Sequence, residues 1–475
     1  MKTIKRHPSA NKPTETRLVA RQYGAGPRAK PPKHLTAGTL SLMTVGGIMG
    51  SGLFLASGPA IRLAGPAILV AYLIGVTIMA LEVTALAEMA AADHERGSFL
   101  AFAHHALGEG YAFVGGWIFW FSSILNLAAE ATAGALFTRV WFPGIPVFIF
   151  AMAYAAIITG INFLTVKGFS RVESIMSYVK IGATALFIIV AFLAIFHLIP
   201  AAGPHGPQLW WRRPGFFPHG WSGVAASMVL VLFSMSGTGV LGLAAPNLKH
   251  PEHVMGHTIR TTVITIYLLY GLSALALTGM TWWAHMPTTK SPFTVALGHL
   301  PWGWPMEVFN VIILVAVLSA MNAGLFATNR VLATLGRIHA APTGVARESS
   351  GIPRRANLIS GILLILFSGL AYFLPRTAYT YLVTATGFQA LFIWILIVVT
   401  EIYYRPKLLA QGHRLEFRMP GYPWTSWLAV LLMVGVIATA PLAPHELIPL
   451  GLGLFVVLLL VGIYWVRARN RAESH

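Results

Sequence analysis

The chain has 475 residues, 56% of them apolar and only 10% charged, which excludes an ordinary water-soluble enzyme, where roughly 45–50% and about 25% are usual. Its 33 Lys and Arg exceed its 15 Asp and Glu to give a net charge of +18; a mean hydropathy of +0.69 makes membrane orientation, and not nucleic acid, the reason for that excess. With no Cys there is no thiolate metal site, disulfide framework or thiol nucleophile.

Residues 1–35 carry basic side chains from Lys2 to Lys33 against a single acid, Glu15, and lack a short apolar core with a cleavage site. They read as a basic cytoplasmic tail and not as a signal peptide. Apolar runs long enough to cross a hydrocarbon core of about 30 Å, roughly 20 helical residues, then follow one another along the chain. Twelve are expected, at 37–61, 66–92, 111–138, 145–165, 172–198, 221–245, 259–283, 305–336, 356–374, 379–404, 424–442 and 446–466. Turn-forming stretches at 203–207, 214–220, 342–353 and 420–423 separate some of them. The expected fold is an all-α polytopic membrane protein. With the tail inside, 26 basic residues fall on the cytoplasmic side, 6 outside, and Lys180 within a span, which places both termini in the cytoplasm.

Span 1 contains Gly46-Gly47-Ile48-Met49-Gly50-Ser51-Gly52. At about 1 kcal/mol per Gly relative to Ala, that density predicts an opened helix. In span 2, Glu82 and Glu88 approach the inner end, as Glu401 does in span 10; solvated or gate-lining roles are expected for them. Span 3 carries Glu130 near its middle, one turn beyond Asn126, and span 5 carries Lys180, roughly 13 Å from the inner helix end at about 1.5 Å per residue. A charge at the bilayer centre costs about 2.5–3.5 kcal/mol even on the permissive insertion scale, so Lys180 and Glu130 are the candidate proton-coupling groups. The alternatives are a fixed strut at Lys180 and a structural contact from Glu130 to Lys180 or Asn126.

Span 6 carries Ser234-Met235-Ser236-Gly237-Thr238-Gly239, about as deep in its segment as the first cluster is in span 1. Two interrupted spans five apart mark an inverted-repeat transporter with its site at the repeat interface; close helix packing is the plainer use of such residues. Opened turns point N–H groups toward an anion and C=O groups toward a cation, which suits a zwitterion such as an amino acid. On span 8, Ser319 and Asn322 are one turn apart and are candidates to line the cavity or face Lys180, with Asn322 alternatively tying helices together.

The chain resembles the amino acid permease family of the amino acid–polyamine–organocation superfamily. The resemblance rests on GGIMGSGLFLASGPAIRLAGP (46–66), EMA with a following GSF (88–90, 97–99), GWIFWFSSILNLAAEATA (116–133), INFLTVKGF (161–169), SAMNAGLFATNRVL (319–332) and FRMPGYPW (417–424), taken in order and spacing. It implies two inverted five-helix repeats, spans 1–5 and 6–10, plus two extra helices, with spans 1 and 6 broken. The corresponding divisions are 36–200, 201–406 and 407–475. It also implies amino acid uptake, usually driven by protons. By the same resemblance, backbone N–H groups at Ser51, Gly52 and Leu53 bind the substrate carboxylate. Carbonyls near Gly47 and Ile48, with Phe233, Ser234 and Ser236 and the neighbouring Gly237, bind the ammonium. Lys180 matches the family's fifth-helix Lys. The chain departs from the family at Gly239 and at Pro246-Asn247, where two sixth-span acids are usual, and at Thr84, where Arg is common; the missing acids argue against a cationic substrate.

His104-His105 invites a metal reading, but no zinc-type spacing repeats, and GxxxxGK[ST] is absent. No metal, cofactor or nucleic acid is expected, and no catalytic constellation can be assembled. The Trp and Tyr near span ends, Trp210, Trp211, Trp302, Trp304, Tyr403 and Tyr404 among them, read as interfacial anchors. The expected function is import of a neutral amino acid across the cytoplasmic membrane by proton symport. An exchanger or amine carrier on the same fold, and a non-transporting amino acid receptor, are the alternatives.

Overall fold

The structure is a computed structural model that describes residues 37–93, 99–164, 169–238, 251–349, 352–374, 377–413, 415, 417–443 and 446–473. The basic tail and the departures at Gly239, Pro246 and Asn247 lie outside the described residues. Among those described the architecture is helical, with one isolated bridge between Ser349 and Ile352.

Helix α1 (Ala37–Ile48) leads across a break into a π-helical turn (Gly52–Ala56) and α2 (Ser57–Ala64). There follow α3 (Ile68–Ala92), α4 (Glu109–Thr138), α5 (Val147–Ile161) and α6 (Phe169–Ile195). Next come α7 (Gly220–Phe233), α8 (Pro251–Met280), α9 (Trp304–Arg337), α10 (Arg354–Ser368) and α11 (Ala378–Ala410), and last α12 (Trp424–Ala438) and α13 (Leu447–Glu473). Nine helices among the described residues are long and apolar enough to cross a membrane, against twelve apolar runs in the sequence. The difference has physical causes. A short 3-10 turn joins α2 to α3, so Gly52–Ala92 counts once, while Val147–Ile161 and Gly220–Phe233 are apolar but short, the latter because α7 stops at its break.

The bundle has its polarity reversed relative to a water-soluble protein. Leu186, Leu366, Leu431, Phe455 and Leu458 are between 61% and 69% exposed, whereas Glu82, Glu130, Lys180 and Glu401 are at most 5% exposed. An apolar exterior around buried charge requires lipid as the surrounding solvent. This is a multi-pass membrane protein.

The packing has an internal repetition. α1 packs on α6 and α7 on α11; α1 on α8 and α7 on α3; α4 on α11 and α9 on α6; α4 on α5 and α9 on α10. Each pair becomes the other when every element is replaced by its counterpart one five-helix set later. The pairs α2 with α7, α3 with α8, α4 with α9 and α5 with α10 map onto themselves.

Amide ladders fix one half of this frame. Asn162 of the α5 end donates to Asn322 Oδ1 at 2.8 Å, Asn329 to Asn357 Oδ1 at 2.8 Å, and Asn357 to the carbonyl of Thr159 at 3.1 Å. Trp120 Nε1 donates to Ser360 Oγ at 3.0 Å. Each such bond is worth about 0.6 kcal/mol in a membrane protein, and together they tie α4, α5, α9 and α10 into one body.

Of the solvated or gate-lining roles expected for Glu82, Glu88 and Glu401, burial removes the solvated one. Glu88 accepts hydrogen bonds from Arg405 Nη1 at 3.2 Å and from the Met419 N–H, and Glu401 accepts one from Ser426 Oγ at 2.8 Å. The Arg405 guanidinium also lies 4.0 Å over the Tyr422 ring. This network accounts for Thr84: the cation for Glu88 comes from α11, and Thr84 donates to the Ala80 carbonyl of its own helix. Tyr404 is likewise no interfacial anchor, because its hydroxyl donates to Asp93 Oδ2 at 2.6 Å and the ring is buried.

Candidate functional site

The break in the first span follows from its Gly. α1 ends at Ile48, Gly50 N–H bonds to the Ile48 carbonyl only two residues back, and the helix resumes at Ser51. A methyl group at Gly50 would stand 2.5 Å from Glu130 Oε1, one at Gly46 1.9 Å from Ser177 Oγ, and one at Gly52 2.3 Å from the Cα of Ser234. Those Gly admit α4, α6 and the sixth span to the backbone of the break.

The sixth span opens where expected. α7 ends at Phe233 and tightens into i+3 turns, Met235 N–H to Leu232 O and Ser236 N–H to Phe233 O. Gly237 follows at φ +121, a conformation L side chains rarely adopt. A Cβ there would lie 2.8 Å from the Gly47 carbonyl. The two openings therefore meet backbone to backbone at two places, Gly52 on Ser234 and Gly237 on Gly47.

Buried ionisable groups bind the first opening from opposite sides. Ser51 N–H, a helix-start amide not bonded to the carbonyl four residues back, donates to both Glu130 oxygens at 3.0 Å. Lys180 Nζ donates to the Gly46 carbonyl at 3.0 Å and is 1% exposed. No carboxylate lies within salt-bridge distance of Lys180 among the described residues, so the pairing of Glu130 with Lys180 is not formed. The break thus presents N–H to an anion and C=O to a cation within a few residues.

Two tyrosines complete the shell and were not anticipated. Tyr270 donates to the Ser234 carbonyl at 2.8 Å and approaches that of Ile48 at 3.4 Å; Tyr379 donates to the Ser51 carbonyl at 3.0 Å. Ser51 Oγ is buried and lacks a hydrogen-bond partner among the described residues. Leu53 is buried with its carbonyl bound by Ser57 Oγ. Toward α2, Phe54, Phe187, Phe293 and Phe309 close the space, with Phe187 and Phe293 ring centroids 4.6 Å apart. On the other side Gly47, Asn126 and Ser236 are half-buried and Gly237 is exposed. Ser236 Oγ lies 3.5 Å from Asn126 Oδ1.

Of the residues anticipated, Gly47, Ile48, Ser51, Gly52, Leu53, Phe233, Ser234, Ser236, Gly237, Glu130, Lys180 and Asn126 fall in one constellation. Two stand apart. Asn322 is held by Asn162, and Ser319 donates to Glu173 Oε2 at 2.8 Å and not to Lys180. Glu173 was missed, although Glu173, Ser177 and Lys180 share one face of α6 at spacings of four and three.

Comparison with known proteins bears on what such a constellation serves. Residues 39–474 match the family model described as amino acid permease. The chain is 32% identical over 438 residues to an uncharacterized amino acid permease, YtnA, of Bacillus subtilis, covering 92% of this chain and 95% of that one. It is 30% identical to the gamma-aminobutyric acid permease of the same organism, covering 86% and 87%. In fold it is similar to a manganese transporter of Eremococcus coleocola, with a TM-score of 0.58 at 14% identity over 92% of this chain and 94% of that one.

Proposed function

The chain belongs to the amino acid permease family, and from that premise we propose that it is a secondary active transporter importing an amino acid, neutral in its side chain, together with protons. The observation that carries this reading is the pair of opened segments in backbone contact, with Glu130 on the amide side of the first and Lys180 on its carbonyl side. A zwitterion has one group for each.

Glu130 supplies the link between solute and proton. Its carboxylate makes the two contacts to Ser51 N–H that a substrate carboxylate would make. Two anions cannot share one amide at bilayer depth, so substrate entry requires Glu130 to take a proton or to leave the amide. Lys180 holds the Gly46 carbonyl and, losing or regaining a proton, releases or fixes the end of α1. The ammonium of the substrate then takes the carbonyls of Gly47, Ile48, Phe233, Ser234 and Ser236, of which Ile48 and Ser234 are now met by Tyr270. Ser51 Oγ, unpartnered, is a further ligand for the carboxylate.

The frame supports alternating access in which α1 to α3 with α7 and α8 rock against the body tied by the Asn ladders. The exchange of contacts between helix sets supports a division into repeats at 36–200 and 201–406, with 407–475 adding two helices. The excess of Lys and Arg at alternate connections supports cytoplasmic termini. In that orientation the Phe cluster closes the outer side and Gly237 lies on the inner, accessible side. A neutral substrate is supported by the Gly239 and Asn247 replacements and by a relative named for γ-aminobutyrate, a zwitterion with no further charge. The test is uptake of all common amino acids into proteoliposomes under an imposed pH gradient. Accumulation of one or a few neutral amino acids is expected, and accumulation only of Lys, Arg or polyamines would overturn the substrate assignment.

A further inference from the structure

Glu82 is a buried acid to which the first opening gives no role. It lies on α3, is 1% exposed, and accepts a hydrogen bond from Thr238 Oγ1 at 3.2 Å, the only one it makes among the described residues. Thr238 follows Gly237, so Glu82 is bonded to the opened segment of the sixth span itself.

Its setting contrasts with that of Glu88 on the same helix, where Arg405 and an N–H neutralise the buried acid. For Glu82 no Lys, Arg or His lies within salt-bridge distance among the described residues. Among the described residues, the charged and titratable groups on the elements packed against α3 are otherwise engaged or distant. Glu401 and Arg405 of α11 serve the Glu88 network, Tyr267 of α8 shares a hydrogen bond with Thr77, and Tyr270 caps Ser234. His257 and Arg260 of α8 are exposed, Arg62 lies on α2, and α7 and α12 carry no titratable side chain. The opened segment also follows the C-terminal end of α7, whose dipole favours a cation and disfavours a second negative charge. A carboxylate placed there calls for a positive partner that arrives and leaves.

We propose that Glu82 is a further proton-carrying carboxyl of this chain, loaded and unloaded as the opened segment of the sixth span moves off and onto it. It rests on the proton-coupled reading above. The step is an acid–base exchange with water: an O–H bond forms on a Glu82 oxygen when the carboxyl is exposed on one side, and the same proton returns to water on the other. Thr238 Oγ1 donates to the charged form and accepts from the protonated one, so the contact survives in either state.

The experiment uses the full chain in proteoliposomes with a labelled amino acid that the unmodified protein transports. A gradient of one pH unit allows about tenfold accumulation for one proton carried per solute. Glu82→Gln keeps an acceptor for Thr238 and is expected to retain counterflow while its accumulation ratio falls to about 1. Thr238→Val, which leaves the carboxyl intact, is expected to displace the pH profile of uptake, a readout that a merely structural contact would not move. Accumulation of about tenfold by Glu82→Gln overturns the proposal. If Glu82→Gln fails to insert, an unchanged pH profile in Thr238→Val overturns it instead. Absence of counterflow and of accumulation in the unmodified chain overturns the transport reading, and this proposal with it; loss of accumulation confined to the variants supports both.

Discussion

Replacing Gly52 by Ala tests the contact between the two openings. The added Cβ would stand 2.3 Å from Ser234 Cα and 2.8 Å from its Cβ, where ordinary contact begins at 3.4 Å. The nearest atom is backbone, so no side chain can rotate away; the openings must part by about 1.1 Å to reach ordinary contact. Overpacking of this kind costs about 1–3 kcal/mol. Where that cost falls on the arrangement that binds substrate, it corresponds to about 5- to 150-fold in the coupled equilibrium. Initial uptake rates and thermal melting should be compared with those of Gly182→Ala on α6, where no atom lies within 4 Å of the new Cβ. The control should transport normally and melt no lower, since Ala is favoured over Gly by about 1 kcal/mol within a helix. Uptake by Gly52→Ala at the level of the control would refute the contact.

Lys180→Ala removes the ammonium from the Gly46 carbonyl, and should abolish pH-driven accumulation while amino acid exchange persists; normal accumulation would exclude Lys180 from coupling. Glu130→Gln keeps an acceptor for Ser51 N–H without the charge, so substrate affinity should lose its pH dependence; an affinity that still varies with pH as in the unmodified chain would place the competing proton elsewhere. Arg405→Ala leaves the Glu88 carboxylate buried with only the Met419 N–H, and should destabilise the protein by about 3–5 kcal/mol in thermal or denaturant melting. An unchanged melting curve would show that the pair contributes nothing to holding α3 on α11.

The parts of the site that were legible in the sequence are those that leave a local trace. Gly at 46, 47, 50 and 52 declares a break because a helix tolerates so few, and Lys180 and Glu130 stand out because charge is scarce at that depth. The pairing of the breaks, Gly52 on Ser234 and Gly237 on Gly47, depends on approach in space and has no local sign. Tyr270 and Tyr379 escaped notice because a Tyr in an apolar run looks like its neighbours until its hydroxyl is seen on a carbonyl. For Glu88 and Glu401, nearness to a helix end leaves water and a gate both open; the structure removes water, because Arg405 of α11 and the Met419 N–H meet Glu88, Ser426 of α12 meets Glu401, and Arg405 lies 317 positions from Glu88. Asn322 takes the structural alternative of a helix tie, through Asn162, and Ser319 meets Glu173, about two turns along the same face of α6 from its expected neighbour Lys180.

Counterflow of labelled amino acids by the purified chain in proteoliposomes tests the transport function most directly. Saturable uptake of label, accelerated by unlabelled neutral amino acid inside the vesicles and lowered about 5- to 150-fold by forcing the openings apart with Gly52→Ala, is the predicted result. Binding of the same amino acids without any accelerated exchange would contradict it, and would identify a receptor in place of a carrier.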